Sequence, residues 1–434
     1  MYILAFCLIG SIAAIAYGPE RAEVLWHFGF YTLAFTCFLG LCRYASGRLS
    51  WSFLIVLAIV LRLICVFAFP KHSDDVYRYI WDGRLAVEDN SPYAFLPSSL
   101  DSGLIKDQNS LLIKMNSQEH YSVYPWVHQG VFYLSAIVGN NVYWTTVSIK
   151  LVLVLFDLLL MLCLLALFDK FNIERNRLLL YFLNPLIVVE IALNAHFEGV
   201  ALLGVILSIF LILTKRYIRS SMLFFIAVST KLNPLILLPL LLIHIRSYKS
   251  IFKFVVPLGV MLAAYVFFLG KISLLNMGKS IMLYFNCFEF NASFYYVMRF
   301  FGEAWYDYNP IATWGPLLTI FTAALILLIA CLYLIRKSNS VFTYALFTYA
   351  LYLAFAQVVH PWYIIPLIGL SLFTPWRFPI IWSFLVFFSY YAYRDPSYAE
   401  PAFILWLEYF LLWVFFVLEW QVLRVSKSSE NVLL

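Results

Sequence analysis

The segment SDDVYRYIWDG, residues 73–83, carries three acids and one arginine directly after a long apolar run. Charge of this density stands out, because 64% of the 434 residues are hydrophobic and only 12% are charged. Soluble domains carry about 25% charged residues. Apolar runs of about 17–25 residues, long enough to cross a bilayer core, recur along the chain, and no strand-like alternation is sustained. The composition therefore predicts an all-α, polytopic membrane protein.

Basic residues are concentrated in the short links between the apolar runs. The links are RYASGR (43–48), DKFNIERNR (169–177), TKRYIRS (214–220), HIRSYKSIFK (244–253) and RKSNS (336–340). Basic links face the cytoplasm in most membrane proteins, which places both chain ends inside and the long polar loop of residues 71–143 outside. We expect one membrane domain over residues 1–434 with about 12–14 transmembrane helices.

The cysteines and the net charge give no sign of a cofactor. The seven cysteines lie in or beside apolar segments, and none falls in the long loop. This distribution indicates neither a disulfide framework nor a metal site. We therefore expect no cofactor, with a divalent metal at His72 and the neighbouring acids as a less favoured alternative. The net charge of +6 follows from the basic links and gives no reason to expect a nucleic acid.

Two segments interrupt the regular series of spans. Between two of the basic links there is room only for two short half-spans, which meet at STKLNP (229–234). Residues 280–301 are too polar for an ordinary span, since they include Glu289 and Arg299, and we expect them to be re-entrant or to lie along the outer face. Irregular backbone at membrane depth is tolerated where it lines protein or a watery cavity. Both segments therefore predict a cavity beside the long loop.

The opening segment predicts a helix on the membrane surface. Ser73 is a good N-cap, and the helix should run to about Glu88, where DNSPY reads as a turn. Asp74, Arg78 and Asp82 are spaced i, i+4 and i+8, so they share one face. The apolar residues between them form another side, suited to lying on the membrane. Asp82 with Arg78 also fits a solvated ion pair.

The adjacent acids Asp74 and Asp75 are the candidates for a general base. They lie in the first turn of this helix, where the helix dipole and a nearby arginine favour an ionised carboxylate. An ionised carboxylate at the membrane surface can accept a proton from a substrate hydroxyl.

Four ionisable residues lie inside or between apolar segments, namely Arg62, Asp157, Glu190 and Lys231. Charges at membrane depth are costly and normally face the bundle interior. Arg62 and Asp157 are predicted to form a structural pair. Lys231, at the junction of the two half-spans, is suited to contact an anion such as a phosphate.

Several motifs, taken in order, resemble a known family. They are SDDVYRYIWDGRLAVEDNSPY (73–93), YPW (124–126), NPLIVVEIALNAHFEGVALL (184–203), STKLNPLILLPLL (229–241), FNCFEFNASFYYV (285–297) and HPWYIIPLIGL (360–370). Together they resemble the C-type (GT-C) integral-membrane glycosyltransferases, in particular the prokaryotic polyprenyl-phosphate-mannose-dependent mannosyltransferases. The resemblance covers approximately residues 50–370.

The resemblance implies a reaction and a place for it. It implies inverting transfer of a hexose, with mannose favoured, from a polyprenyl-phosphate donor to a hydroxyl of a lipid or glycan acceptor. It implies an active site facing the extracytoplasmic side of a bacterial inner membrane, usually without bound metal. It also implies that an acid of the first outer loop is the base, and Asp74 matches that place best, with Asp75 next.

The chemistry of this transfer suggests roles for further residues. A polyprenyl phosphate leaves as a stable anion, so the site needs one base and cations for the phosphate. Candidates for the phosphate contacts are Lys231, Arg78 and His360. Candidates for other substrate contacts are Asp82, Tyr93, His196, Glu198, Trp362 and Tyr363.

Two other functions fit a polytopic protein with intramembrane charges. One is a transporter or flippase of a lipid-linked sugar, and the other is a structural subunit. Transporters typically show paired halves with matching broken segments, whereas the breaks here are unpaired. The sequence therefore favours the glycosyltransferase.

Overall fold

The fold is helical throughout the part of the chain that can be described. The computed structural model describes residues 1–44, 48–101, 103–336, 340–395 and 397–430. Residues 45–47 and 337–339 of two basic links lie outside this part. Within the described residues no strand is present, and an isolated parallel bridge joins Phe290 and Val358. The all-α prediction is confirmed.

The first part of the chain alternates long helices with short ones. Its α-helices are α1 Tyr2–Tyr17, α2 Val24–Tyr44, α3 Trp51–Val66, α4 Asp75–Val87, α5 Gln108–Lys114, α6 Trp126–Val138, α7 Val142–Lys170, α8 Leu179–Phe182, α9 Pro185–Ile187, α10 Glu198–Leu213, α11 Tyr217–Thr230 and α12 Leu238–Ile245. Three 3-10 turns, Pro97–Ser99, Arg175–Leu178 and Asn233–Leu237, and a π-helix, Val188–Leu193, complete it.

The second part of the chain continues the same pattern. Its α-helices are α13 Tyr248–Leu269, α14 Lys271–Cys287, α15 Phe294–Tyr306, α16 Ile311–Arg336, α17 Val341–Phe355, α18 Ile365–Ser371, α19 Phe378–Leu385 and α20 Ala402–Glu430. The 3-10 segments Pro361–Ile364 and Val386–Arg394 precede α18 and follow α19.

Five of the described helices, α2, α7, α13, α16 and most of α20, are long and apolar enough to cross a membrane. A sixth span is present if Arg175–Phe182 and Pro185–Leu193, which are bent by 47° against each other, count as one. Shorter apolar helices of 10–17 residues accompany them. The protein is an integral membrane protein, and the expected total of about 12–14 spans stays a prediction.

The break predicted at residues 229–234 is confirmed. Helix α11 ends at Thr230, Lys231 has extended backbone angles, and a 3-10 turn leads into α12. With 14 residues, α11 is about 21 Å long, against about 30 Å for the hydrocarbon core. Lys231 therefore lies between two short apolar segments.

The polar segment around residue 290 is irregular, as expected. The backbone N–H of Phe290 donates to the carbonyl of Gln357 (3.0 Å), and the N–H of Val359 donates to the carbonyl of Phe290 (2.8 Å). Helix α15 then exposes large apolar side chains such as Phe300 and Trp305. An exposed apolar side is typical of helices that lie along a membrane face, which supports that part of the expectation.

Helix α4 differs from its predicted setting. It begins at Asp75, with Asp74 at the N-cap. Its apolar residues Ile80 and Trp81 are buried. Gly83 touches α6 so closely that a Cβ would lie 2.3 Å from the carbonyl oxygen of Phe132. The apolar side of α4 is therefore covered by α6 and not by the membrane surface.

The outer loop and the basic links lie at opposite ends of the bundle. Lys71, at the start of the loop, donates to the carbonyl of Gly18 in the turn between α1 and α2 (2.8 Å). At the other end, Phe210 of α10 packs on Phe171 and Phe342, which adjoin basic links. This arrangement agrees with the separation that the charge distribution predicts.

The predicted pair of Arg62 and Asp157 is confirmed. Nε of Arg62 lies 2.5 Å from Oδ2 of Asp157, and both side chains are buried. The hydroxyl of Tyr181 donates to Oδ1 of Asp157 (2.8 Å), and the Arg62 guanidinium donates to the carbonyl of Phe182 (2.9 Å). The pair joins α3, α7 and α8 inside the bundle.

Candidate active site

Asp75 projects from the first turn of α4 towards the bundle. Its Oδ2 lies 3.8 Å from Nε2 of His196, and its Oδ1 accepts a hydrogen bond from Asn116 (3.4 Å). The side chain is 23% exposed, so it stays open to a substrate. Burial acts to raise the pKa of Asp75, but the nearby imidazole of His196 outweighs it and holds the pKa below its usual value. Asp75 is therefore ionised at neutral pH.

His196 lies in a tight turn between the π-helix and α10. The backbone reverses at Ala195, whose φ of +64° is uncommon for a residue with a side chain. Nδ1 of His196 is 2.9 Å from Oε2 of Glu190, and the ring stacks on Trp362 with centroids 3.7 Å apart. Burial acts to lower the pKa of His196, but Asp75 and Glu190 outweigh it and raise the pKa. Strained turns and π-helices are both frequent at functional sites.

His360 lies on the other face of Trp362. The two rings stack with centroids 4.3 Å apart, and His360 also stacks on Phe290. Burial is the main reason why the pKa of His360 falls to about 3. Its Nδ1 is buried without a hydrogen-bond partner among the described residues. His360 therefore offers a substrate a hydrogen bond and not the positive charge that the sequence suggested.

Lys231 supplies a cation to the same region. Its Nζ lies 2.9 Å from Oε1 of Glu198, the first residue of α10. The Lys231 side chain is 21% exposed, whereas Glu198 is buried. His360 lies within electrostatic reach of Lys231, His196 and Asp75. The lysine, the two histidines and the loop acid therefore belong to one group of neighbouring polar residues.

Asp74 has a partner outside this group. Its Oδ2 pairs with the guanidinium of Arg21 at 2.9 Å, and both side chains are partly exposed. Arg21 also lies 6.0 Å from the ring centre of Tyr393. The sequence ranks Asp74 ahead of Asp75 as the base, whereas the geometry favours Asp75.

Arg78 and Asp82 brace the outer loop. Nε of Arg78 lies 2.7 Å from Oδ1 of Asp82, and both side chains are buried, so the ion pair is not solvated. Arg78 also donates to the carbonyls of Ser117 and His120, while Asp82 accepts from Gln129 of α6. These bonds hold the loop on α4, and a contact of either residue with substrate stays a prediction.

The remaining two candidates lie at the edges of the site. The hydroxyl of Tyr93 donates to the carbonyl of Tyr124 (2.5 Å), and Asn276 of α14 donates to the carbonyl of Tyr93 (3.1 Å). Tyr93 thereby ties the loop to α14. Tyr363 has its ring 5.4 Å from His360 and lines a cavity.

This cavity is mostly apolar and measures about 180 Å³. It opens between the 3-10 turn after Lys231, α16, α17 and the segment before His360. Its walls include Ile236, Thr322, Tyr352, Val358 and Tyr363. Tyr363 thus borders both the cavity and His360.

A metal site receives no geometric support. Among the described residues, no three His, Cys, Asp or Glu side chains are grouped so that they could hold a metal ion. His72 instead lies against His27, with Nε2 and Nδ1 3.3 Å apart.

The fold and the site together define a class of protein. A helical membrane bundle that groups a carboxylate, a cation and two histidines near an apolar cavity has the parts that an integral-membrane transferase for a lipid-borne substrate needs. Residues 7–247 match the family described as alpha-(1->6)-mannopyranosyltransferase, N-terminal domain, the MptA/B family. Because the match spans more than half of the chain, the protein belongs to this family of GT-C mannosyltransferases. Neither a curated protein nor a solved structure matched the chain.

Membership of the family defines the activity. The protein is a mannosyltransferase that depends on polyprenyl-phosphate mannose and transfers mannose to a glycan acceptor. The transporter and structural alternatives are set aside. The match ends in the link after α12, so it contains Asp75, His196 and Lys231 but neither His360 nor Trp362.

Proposed function

We propose that the chain is one catalytic domain that makes an α-(1→6) mannosyl bond to a glycan or glycolipid on the extracytoplasmic side of a bacterial inner membrane, with inversion. The observation that carries the proposal is the grouping of Asp75, His196, Trp362 and His360 between the outer loop, Lys231 and the apolar cavity. An α bond formed with inversion requires a β-linked mannosyl phosphate in the donor.

Asp75 is the general base of this proposal. The acceptor oxygen attacks C1 of mannose and passes its proton to Asp75. The bond between C1 and the phosphate oxygen breaks, and its electron pair leaves with the polyprenyl phosphate. Asp75 suits this role because it is ionised, partly open and fixed by two neighbours. No general acid is needed, since the phosphate leaves as a stable anion.

Lys231 and the apolar cavity receive the donor. The lysine lies at the break between α11 and α12, and Ile236 of the adjoining turn lines the cavity. A polyprenyl chain in the cavity would bring its phosphate towards Lys231 and the unpartnered Nδ1 of His360. Lys231 would then exchange its contact with Glu198 for one with the phosphate, which is a strong charge-assisted hydrogen bond.

The assay that tests the function uses the purified chain in detergent. Labelled polyprenyl-phosphate mannose and a short mannose oligosaccharide are supplied, and the linkage in the product is determined by NMR. We expect α-(1→6) transfer from the lipid donor and none from GDP-mannose. A folded preparation that uses GDP-mannose directly, or that transfers nothing from the lipid donor to any glycan, would contradict the proposal.

The side of the membrane is tested by cysteine labelling in a cysteine-free background. Ser98 lies in the outer loop and Thr214 in a basic link, and both are exposed. In intact cells a membrane-impermeant maleimide should label Ser98→Cys and spare Thr214→Cys until the cells are opened. The reverse pattern would place the site in the cytoplasm.

A further inference from the structure

Glu190 is a buried carboxylate that the reaction described above does not use. It lies in the π-helix and has no exposed surface. Its Oε1 accepts from the hydroxyl of Tyr390 (2.9 Å), and its Oε2 accepts from Asn194 (3.2 Å) and lies 2.9 Å from Nδ1 of His196. The imidazole of His196 thus lies between Glu190 and the base Asp75.

This arrangement determines the protons on His196. An ionised carboxylate only accepts hydrogen bonds, so Nδ1 carries a proton and donates it to Glu190. Nε2 faces Oδ2 of Asp75 at 3.8 Å. An unprotonated Nε2 would direct its lone pair at the negative oxygen of Asp75, and the two would repel each other. A protonated Nε2 is attracted to that oxygen. The aromatic face of Trp362, stacked at 3.7 Å, further favours the cation.

We propose that Glu190 is a positioning residue, which holds His196 as an imidazolium with its Nε2–H directed at Asp75 and so keeps the base ionised. The inference rests on the proposed function of Asp75. It gives the negative charge of Glu190, and not only its hydrogen bonds, a role in keeping the base ionised as the pH falls.

The other groups that face His196 leave this assignment intact. Glu198 of α10 adds negative charge, and its partner Lys231 offsets part of it. His128 of α6 and His360 are neutral, because burial lowers the pKa of each. The net effect of all these neighbours is a raised pKa of His196.

The pH dependence of the rate tests the proposal through Glu190→Gln. The amide keeps the size of the side chain and an acceptor for Nδ1, but it removes the charge. His196 then becomes neutral, its bare Nε2 faces Asp75, and the pKa of the base rises. In the plot of kcat against pH, we expect the acidic limb to shift to higher pH by about one unit or more. Along this limb kcat should fall about tenfold at a given pH for each unit of the shift, whereas at pH 7, well above the pKa of Asp75 in both proteins, kcat should stay within about threefold of wild type.

Two measurements distinguish this role from a structural one. The KM values for donor and acceptor should stay within about twofold, because Glu190 touches neither substrate. Tyr390→Phe removes a hydrogen bond to Glu190 but leaves its charge, so the acidic limb should stay in place. A limb that moves equally in both variants would show that packing, and not charge, matters.

The result that overturns the inference is a folded Glu190→Gln protein with the wild-type pH profile. If Glu190→Gln does not fold, His196→Gln carries the same test, since it removes the cation itself, and an unmoved limb there overturns the inference as well. A wild-type chain that transfers no mannose contradicts the proposed function instead. The two failures are therefore distinguishable.

Discussion

The part of the chain that matches the family, residues 7–247, is packed differently from the part that follows it. Among the spans of the first part, 44% of the apolar stretch of α2 and 39% of that of α7 is buried. In the second part the values are 17% for α13, 28% for α16 and 11% for α20. Among these long spans, those of the first part are more deeply buried than those of the second part.

The difference corresponds to a division of labour that we infer from the site. Residues that handle charge and protons, Asp75, His196 and Lys231, come from the first part. The second part contributes most of the apolar cavity through α16 and α17. His360 and Trp362 of the second part stack directly against His196 of the first, so the two parts meet at the site.

The largest effect is expected for Asp75→Asn. The amide cannot take the acceptor proton, so kcat should fall about 10²- to 10⁴-fold in the transfer assay, with donor binding nearly unchanged. Asp74→Asn is the matched control, because Asp74 is the neighbouring acid and pairs with Arg21 on the outer side. It should retain activity within about threefold of wild type, since it holds no reacting proton. If Asp74→Asn is inactive and Asp75→Asn is active, the base is Asp74.

The next effect concerns Lys231→Met and the donor. A buried charge-assisted contact is worth about 1.5–3 kcal/mol, so the Kd for polyprenyl-phosphate mannose should rise about 10- to 150-fold. Titration calorimetry in detergent measures it. Lys170→Met makes the same change at the exposed last residue of α7 and should leave Kd unaltered. An unchanged Kd for Lys231→Met would remove Lys231 from the phosphate site.

A smaller effect tests the second part of the chain. Thr322 lines the cavity, and Thr322→Phe should displace part of the polyprenyl chain. The KM for a long-chain donor should rise about fourfold for each methylene displaced, because a buried methylene contributes about 0.8 kcal/mol. A short-chain donor should be unaffected. Thr313→Phe, at an exposed position of the same helix, is the control, and equal effects of both variants on both donors would argue against the cavity as the lipid site.

The smallest effect concerns Glu400, in the segment before α20. It accepts from the backbone of Asn291 (2.7 Å) and from the hydroxyl of Tyr296, and burial raises its pKa from 4.5 to about 7. The folded state thus binds a proton more tightly than the unfolded state. The contribution of Glu400 to the free energy of unfolding is therefore fully present below pH 4.5 and is lost as the pH rises to about 7.

Thermal unfolding in detergent at pH 5 and pH 8 checks this sign. Between pH 5 and pH 8 the Tm of the wild-type protein should fall by about 1–3 °C more than the Tm of Glu400→Gln, because the glutamine cannot ionise. Glu303→Gln removes an acid that is 41% exposed and should retain the wild-type pH dependence. A wild-type Tm that rises from pH 5 to pH 8 relative to Glu400→Gln would contradict the assignment.

Much of the framework could be predicted because it depends on composition. The recurring apolar runs indicate a helical membrane protein, and the basic links indicate which end of the bundle carries the loop. The pair of Arg62 and Asp157 was predictable because opposite charges in apolar spans have few other ways to be compensated. The break at Lys231 followed from the short distance between two basic links.

The contacts of the site could not be predicted from the sequence alone, because they depend on the orientation of side chains and on residues far apart in the chain. Asp74 and Asp75 differ by about 100° around the helix axis, and the sequence cannot say which of them faces the bundle. Arg21, which pairs with Asp74, lies 53 residues away. Glu190 was recognised as an intramembrane charge, but its partner Tyr390 is 200 residues distant and belongs to no motif.

The buried pair of Arg62 and Asp157 also has a consequence for biosynthesis. The two residues are 95 positions apart in the chain, and ribosomes add about 5–20 residues per second. Helix α3 therefore emerges about 5–20 s before the helix that neutralises it. During that interval a guanidinium would lie in lipid without its counter-ion. Release of α3 from the insertion machinery should accordingly wait for α7, so that the two helices enter the bilayer as a unit.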